Sequence, residues 1–196
     1  MNAAEALAEL KAGNARFLSG KPAVREHRER ISAQAQEPFA VVIGCADSRV
    51  PVEIVFDQSL GDLFVIRVAG SIVTPIGLGS VEFAAEQLGA RLVVVLGHSH
   101  CGAVQAALEN LQRPDQALSP NLKSAIARIE PAVAPLLDKQ PQDDLLSAAV
   151  HANIMEGVAA VTRDSELLAR MVNEDGLVVT GAEYSLESGA VAFLPS

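Results

Sequence analysis

The sequence has no tryptophan and one tyrosine among its 196 residues, and its 24 acidic residues outnumber its 15 basic ones. The formal net charge of −9 disfavours a nucleic-acid partner, because binding to phosphates requires lysine and arginine. The shortage of aromatic rings also disfavours base stacking. The one basic cluster, residues 25–30, mixes arginine with glutamate and histidine and is typical of a solvated helix face. We therefore expect no nucleic-acid partner.

Long apolar runs are also missing. No uncharged apolar stretch reaches the roughly 18 residues that cross a membrane, and the first 20 residues contain Glu5 and Glu9 where a signal peptide would be apolar. We expect a cytoplasmic protein with no membrane partner. In that reducing compartment, the chain's two cysteines are more typical of metal ligands or free thiols than of a disulfide.

Both cysteines follow apolar runs. Residues 39–44 precede Cys45, and residues 92–97 precede His98 and Cys101. Short runs rich in valine and isoleucine and closed by glycine indicate strands that are buried on both faces. If the two strands are parallel neighbours, their carboxyl ends meet at the sheet edge where ligands bind in open α/β folds.

Two thiols, an imidazole and the carboxylate of Asp47 would then converge at this edge, and such a set of donors suits Zn²⁺. Asp47 could complete the coordination, or it could leave the fourth position open to water. Arg49 offers that carboxylate a bidentate partner whenever it is off the metal.

The rest of the chain predicts a single α/β domain over residues 1–196, with an N-terminal helical arm (1–35) and an α/β core (36–196). Strands that alternate with helices indicate right-handed crossovers and a mainly parallel central sheet flanked by helices. The last two strands are only about eight residues apart, so the C-terminal edge strand should be antiparallel. The predicted helices are 2–18, 24–35, 52–58, 80–88, 102–111, 119–137 and 142–173 (with a break near 162–165), and the predicted strands are 39–44, 63–68, 91–97, 176–180 and 190–194.

Four segments occur in a fixed order along the chain: Cys45-Ala-Asp-Ser-Arg49, Gly61-Asp-Leu-Phe-Val-Ile-Arg67, Ser80-Val-Glu-Phe83 and Gly97-His-Ser-His-Cys-Gly102. They resemble the signature segments of the β-class carbonic anhydrases. Residues 13–17 and 179–184 resemble terminal segments of that family, so the resemblance covers nearly the whole chain.

The resemblance implies an enzyme that interconverts CO₂ and bicarbonate with one Zn²⁺ per subunit. It implies that Cys45, His98 and Cys101 hold the zinc and that Asp47 and Arg49 form a catalytic dyad. Asp47 would also be able to become the fourth ligand in an inactive state.

The resemblance also implies substrate-binding residues. Gln36 matches a glutamine that binds substrate from across a subunit boundary, and Phe64 matches an apolar wall of the pocket. Phe83 stands where many members have tyrosine, so we expect it to act only as a wall. Because members of the family are dimers or higher assemblies, we expect a homodimer or a dimer of dimers whose N-terminal helices pack on a partner subunit.

One departure from the family pattern bears on regulation. Members with a non-catalytic bicarbonate site have tryptophan three residues before the first cysteine, where this chain has Val42. The resemblance is therefore to the open, plant-like subgroup without that site. Arg67 is shared by members with and without that site, so it does not distinguish the two subgroups.

Metal chemistry supplies the expected mechanism, in which zinc-bound hydroxide attacks the carbon of CO₂. Two thiolates neutralise the charge of Zn²⁺, so the bound water should be less acidic than the roughly pKa 7 of a three-histidine site. We therefore expect activity to rise on the alkaline side of neutrality. Amides at Gly102 and beyond, at a predicted helix N-terminus, could help to hold the anionic product.

Several alternatives stay open. The same site could hydrolyse a CO₂ analogue such as carbon disulfide or carbonyl sulfide, or the zinc could be purely structural. Arg49 argues against the structural reading, because a closed site gains little from a guanidinium that competes for its ligand. Cys45 and Cys101 could instead be buried thiols or a disulfide. His100 could replace His98 as a ligand, although His98 keeps the two-residue spacer before Cys101.

Overall fold

A computed structural model describes residues 1–23, 35–115 and 117–195 of the chain. Within them the strands are β1 (Ala40–Cys45), β2 (Leu63–Val68), β3 (Leu92–His98), β4 (Val178–Tyr184) and β5 (Val191–Phe193). They form one sheet in the order β2-β1-β3-β4-β5. The first four strands pair in parallel, and β5 pairs antiparallel with β4. This arrangement confirms the predicted mainly parallel sheet with an antiparallel C-terminal edge.

Helices cover both faces of the sheet. In chain order they are α1 (Ala3–Leu18), α2 (Val52–Val55), α3 (Pro75–Gln87), α4 (Gly102–Gln112), α5 (Pro120–Ile126), α6 (Glu130–Val133), α7 (Gln142–Arg163) and α8 (Glu166–Glu174), with 3₁₀ turns at Ala69–Ser71 and Ala134–Leu136.

The sheet divides the hydrophobic core in two because successive side chains of a strand point to opposite faces. Val41 and Ile43 of β1 pack with α3, α4 and α7 on one face, whereas Val42 packs with α1 and α2 on the other. Both β1 and β3 are buried along their whole length. The sequence predicted that these two strands are apolar runs covered on both faces. The two strands carry the site residues at their carboxyl ends.

The helix α1 packs on its own chain. Its Ala6 and Leu10 are fully buried in the core cluster that also holds Phe56. Packing of the N-terminal helices on a partner subunit stays a prediction. Residues 24–34 of the predicted second helix lie outside the described residues.

The helix α7 is the central support of one face. Its segment Asp143–Arg163 is long and apolar enough to cross a membrane by length and composition alone. In the fold, 44% of its most apolar window is buried, and Ala149, Val150 and Ile154 belong to the core. A core helix passes the same test of length, so α7 carries no argument for a membrane.

Several predicted boundaries were wrong. The helix predicted over 52–58 ends at Val55, and the strand predicted over 176–180 spans Val178–Tyr184. The predicted helix 80–88 begins at Pro75, because the Thr74 side chain accepts a hydrogen bond from the Gly77 amide and proline suits the first turn. The predicted helix 119–137 is interrupted, with α5 ending at Ile126 and α6 spanning only Glu130–Val133. Pro131 and Pro135 are tolerated only where a new helical turn begins, which accounts for the short pieces.

Candidate metal centre

Cys45 is the last residue of β1, and the neighbouring strand holds it in place. Arg67 of β2 donates from Nε to the Cys45 carbonyl at 2.8 Å and from Nη2 to the Asp47 carbonyl at 2.5 Å. The Ala46 amide also donates to the Val68 carbonyl at 3.1 Å. These bonds fix the turn that follows the strand, so Cys45 and Asp47 leave the sheet edge with a defined geometry.

His98 ends β3 and is fully buried. Its Nδ1 lies 2.9 Å from the Ser99 carbonyl. A carbonyl only accepts, so Nδ1 carries a proton, and in the neutral ring Nε2 presents its lone pair. Among the described residues, Nε2 is one of two buried side-chain polar atoms without a hydrogen-bond partner. A buried nitrogen of this kind is costly unless something binds it.

Cys101 lies at the N-cap of α4, where backbone amides face its sulfur. The contact between the two cysteine sulfurs, aided by His98 and by the Gly70 amide, lowers the pKa of Cys45 well below its usual value. The same contact, together with burial, raises the pKa of Cys101 above its usual range. The two opposite shifts describe one proton shared by the pair, so the pair can carry one thiolate charge. The two thiols are free and not joined in a disulfide.

The residues present fit a metal ion. One ligand atom from each of Cys45, His98 and Cys101 lies within 4.8 Å of the other two, and all three residues are buried. Ligands around a tetrahedral zinc are about 3.3–3.8 Å apart, given bonds of about 2.0–2.3 Å, so small movements would close the cluster on an ion. The unpartnered Nε2 of His98 and the two cysteine sulfurs, which together can carry a thiolate charge, are donors that suit such an ion. The site could therefore hold zinc.

Asp47 and Arg49 form a bidentate pair beside this cluster. Arg49 donates to Asp47 Oδ1 from its amide at 2.9 Å and from Nε at 3.0 Å, and to Oδ2 from Nη2 at 2.7 Å. These bonds hold the pKa of Asp47 well below its usual range, and the pKa of Arg49 is raised by the same contact. Asp47 Oδ2 also lies 3.8 Å from His98 Nε2. An ionised carboxylate therefore faces the unpartnered Nε2 of His98 while its oxygens are held by Arg49.

His100 lies apart from the cluster. Its side chain is 67% exposed, and its Nε2 is 2.6 Å from Glu187 Oε1. Its backbone is left-handed, with φ of 54°, which turns the chain between His98 and Cys101. The described residues thus place His98 with the cysteines and His100 with Glu187. His98 was the ligand that the sequence favoured.

The predicted substrate residues do not all meet the cluster within one chain. Gly102 begins α4 directly after Cys101, whereas Gln36 is exposed and precedes the start of β1. Phe64 pairs with Val41 while Cys45 pairs with Val68, so Phe64 lies about 13 Å along the strand from the level of Cys45. Phe83 is 48% exposed and contacts Phe64, with ring centroids 6.3 Å apart and the ring planes tilted by 43°. Their roles in binding substrate stay predictions.

The sequence did not identify the residues that support the ligands. The positioning role of Arg67 depends on its register opposite Gly44, which the strand pairing sets. The Gly70 amide donates to Cys45 Sγ at 3.3 Å, and Ser99 Oγ donates to Glu187 at 2.9 Å while it accepts from the Leu186 amide at 2.9 Å. No local pattern in the sequence indicates these contacts.

Comparisons with known proteins agree with this architecture. Residues 40–191 match the family model described as carbonic anhydrase. The chain is 38% identical over 185 residues to carbonic anhydrase 2 of Mycobacterium tuberculosis, covering 92% of this chain and 87% of that protein. It is also 38% identical over 185 residues to the carbonic anhydrase of Mycolicibacterium smegmatis, covering 93% and 88% of the two chains.

A solved structure shares the same fold. The β-carbonic anhydrase CafA of Aspergillus fumigatus superposes with a TM-score of 0.77 at 29% identity, covering 97% of this chain and 89% of that one. A Coccomyxa β-carbonic anhydrase in complex with acetazolamide gives a TM-score of 0.74 at 25% identity, with 96% and 81% covered. The chain therefore belongs to the carbonic anhydrase family, in its β class. The resemblance identified from the sequence is confirmed, and so is the expectation that the chain is an enzyme of this family.

Proposed function

We propose that this protein catalyses the reversible hydration of CO₂ to bicarbonate and a proton, with one zinc ion held by Cys45, His98 and Cys101. The observation that carries the proposal is the buried Nε2 of His98, which lacks a hydrogen-bond partner and faces two thiols. When bound there, zinc supplies a Lewis acid that activates water for attack on CO₂.

We propose that Asp47 and Arg49 act as a dyad. Because the bidentate contact keeps the pKa of Asp47 low, the carboxylate stays ionised at neutral pH and can accept a hydrogen bond at Oδ2. Arg49 meanwhile keeps the carboxylate oxygens occupied, so Asp47 is held back from becoming a permanent ligand. This arrangement supports an open catalytic site over a closed structural one, since catalytic zinc keeps one position free.

We further propose a homodimer or a dimer of dimers in which each site is completed by the partner. Gln36 precedes β1 while Cys45 ends it, and the strand from Ala40 to Cys45 spans about 16 Å. Phe64 likewise lies toward the far end of β2. Residues that serve the substrate from these positions would act on the site of the neighbouring subunit. A cytoplasmic location is proposed on the ground that both thiols must be reduced to bind zinc.

The dyad is tested by stopped-flow CO₂ hydration on zinc-loaded protein from pH 7 to 9. Asp47→Asn should keep one zinc per chain and lower kcat/KM on the order of 100-fold, the size expected when a positioned proton acceptor is lost. The matched control is Asp164→Asn, which breaks a similar bidentate pair, with Arg163 Nε 2.9 Å and Nη2 3.1 Å from Asp164, on the exposed surface. That variant should retain wild-type activity.

The same assay separates the alternatives. Wild-type protein that holds one zinc and shows no hydration across this pH range would favour a structural ion. Faster turnover of carbon disulfide or carbonyl sulfide than of CO₂ would favour the sulfur-analogue hydrolase. Full activity in Asp47→Asn would remove Asp47 from the mechanism.

The shared site is tested by mixing two weakened chains. If Gln36 serves the neighbouring site, a dimer of one Gln36→Ala chain and one Asp47→Asn chain contains one intact site, so random reassociation should recover about a quarter of wild-type activity. Recovery no higher than the mean of the two parents would show that Gln36 serves its own subunit or none.

A further inference from the structure

Asn153 is a polar residue in an apolar part of α7. It is 8% exposed, and its helix neighbours Ala149, Val150 and Ile154 are buried in the core. Asparagine has a low propensity for the interior of a helix, and burying its side-chain amide is costly unless the amide is hydrogen-bonded. The presence of this side chain therefore calls for a specific partner. Its Nδ2 donates to the Gly70 carbonyl at 2.8 Å, in a buried contact that spans 83 residues of sequence.

Gly70 is the residue whose amide contacts a metal ligand. Its N–H donates to Cys45 Sγ at 3.3 Å, and the contact is buried. Gly70 has a left-handed backbone, with φ of 77° and ψ of 12°, and a Cβ there would lie 2.7 Å from Ile129 Cδ1. The next residue, Ser71, also has a left-handed backbone, with φ of 53°. Glycine adopts this conformation without steric cost, but Ser71 does not, so the turn at Ser71 needs outside support.

Two side chains supply that support. Ser71 Oγ donates to the Leu96 carbonyl of β3 at 2.7 Å, and Asn153 holds the Gly70 carbonyl from α7. The Gly70 carbonyl and amide are separated only by the glycine Cα, so anchoring the carbonyl restricts where the amide points.

We infer that Asn153 is a positioning residue for Cys45. Asn153 fixes the Gly70 turn so that the Gly70 amide stays directed at the cysteine sulfur. This inference rests on the proposed zinc site and deepens it. An amide that donates to a ligand sulfur orients the sulfur and withdraws charge from it. Loss of such an outer contact generally costs about 10- to 100-fold in metal affinity or activity.

A purely structural role for Asn153 has different consequences. If Asn153 only fastened α7 to the sheet, its loss would lower the stability of the whole protein and leave the properties of the bound metal unchanged. A readout on the metal itself therefore separates the two roles.

The test compares Asn153→Leu and Asn153→Asp with a matched control at Asn14. Asn153→Asp keeps the shape of the side chain but replaces the donor with an acceptor. Asn14 is also a buried asparagine, 5% exposed, whose Nδ2 donates to the Val55 carbonyl at 3.1 Å and the Gly189 carbonyl at 3.0 Å on the other face of the sheet. Zinc affinity is measured by chelator competition on reduced protein, and the thiolate-to-metal absorption band is recorded with Co²⁺ in place of zinc.

Both Asn153 variants should bind zinc about 10- to 100-fold more weakly and should shift the cobalt band. Asn14→Leu should lose stability while its zinc affinity and cobalt band stay those of the wild type. If Asn153→Leu fails to fold, Asn153→Asp decides alone. Wild-type affinity and an unshifted band in Asn153→Asp, or equal changes in Asn14→Leu, would overturn the inference. Wild-type protein that binds no zinc would overturn the proposed function as well, so the two failures are distinguishable.

Discussion

Two glycines allow α7 to approach the sheet closely around Ile154. A Cβ built on Gly97 would lie 2.5 Å from Ile154 Cγ1 and 2.6 Å from Cδ1, and one on Gly181 would lie 2.7 Å from Ile154 Cγ2. Real Cβ atoms do not come so near, so the Ile154 side chain, the helix or the strand must shift. We predict that Gly97→Ala lowers the free energy of unfolding by about 1–3 kcal/mol, the usual cost of overpacking a core.

A double-mutant cycle tests whether Ile154 is the cause. Ile154→Ala alone should cost about 2–5 kcal/mol, because it leaves a cavity in the core. In Gly97→Ala/Ile154→Ala the new methyl group occupies part of that cavity and the overlap is gone. The double variant should therefore be more stable than the sum of the single costs implies, with a coupling of about 1–3 kcal/mol.

The assay is urea denaturation of reduced, metal-free protein, because bound zinc would add its own stabilisation. Gly79→Ala is the control: a Cβ there meets nothing within 4 Å, and replacing glycine inside a helix should raise stability by about 0.5–1 kcal/mol. Additive costs in the cycle would refute the direct packing of Ile154 on Gly97. Because Gly97 precedes the ligand His98 on β3, Gly97→Ala should also weaken zinc binding, and the double variant should recover part of that loss.

Two further predictions concern charged residues near the site. Arg67→Met removes the donors to the Cys45 and Asp47 carbonyls. Because a hydrogen bond from a charged group contributes about 1.5–3 kcal/mol, the variant should have a lower free energy of unfolding and a lower kcat/KM. Wild-type kinetics would show that the turn after Cys45 keeps its geometry without Arg67. Burial raises the pKa of Glu183 above its usual value. Its ionisation therefore opposes folding as the pH rises above the unfolded-state pKa, and there is no such cost below that pKa. Glu183→Gln should raise the Tm of metal-free protein at pH 7 and leave it unchanged near pH 3.5, whereas an equal gain at both pH values would contradict this assignment.

The presence and order of the strands and the metal cluster were predictable because their signals are local, although β4 continues to Tyr184, beyond its predicted end at residue 180. Cys45 and His98 each follow an apolar run closed by glycine, and the parallel pairing of β1 with β3 brings the ends of those runs together. The start of α3 was also signalled, by Thr74 before Pro75, but the glycine-rich loop around it favoured a later start.

The supporting contacts were not predictable, because they depend on tertiary placement. Asn153 lies 83 residues from Gly70, and its sequence context is that of an ordinary core helix. The role of Arg67 depends on its register beside Gly44. The register likewise places Phe64 away from Cys45, which a motif alone does not reveal.

Titration of reduced, metal-free protein with zinc, followed by stopped-flow CO₂ hydration at each point, tests the central claim most directly. The account predicts that activity rises in proportion to zinc, reaches a plateau at one ion per chain, and is lost again on chelation. Full loading without hydration, or hydration by the metal-free chain, would contradict it.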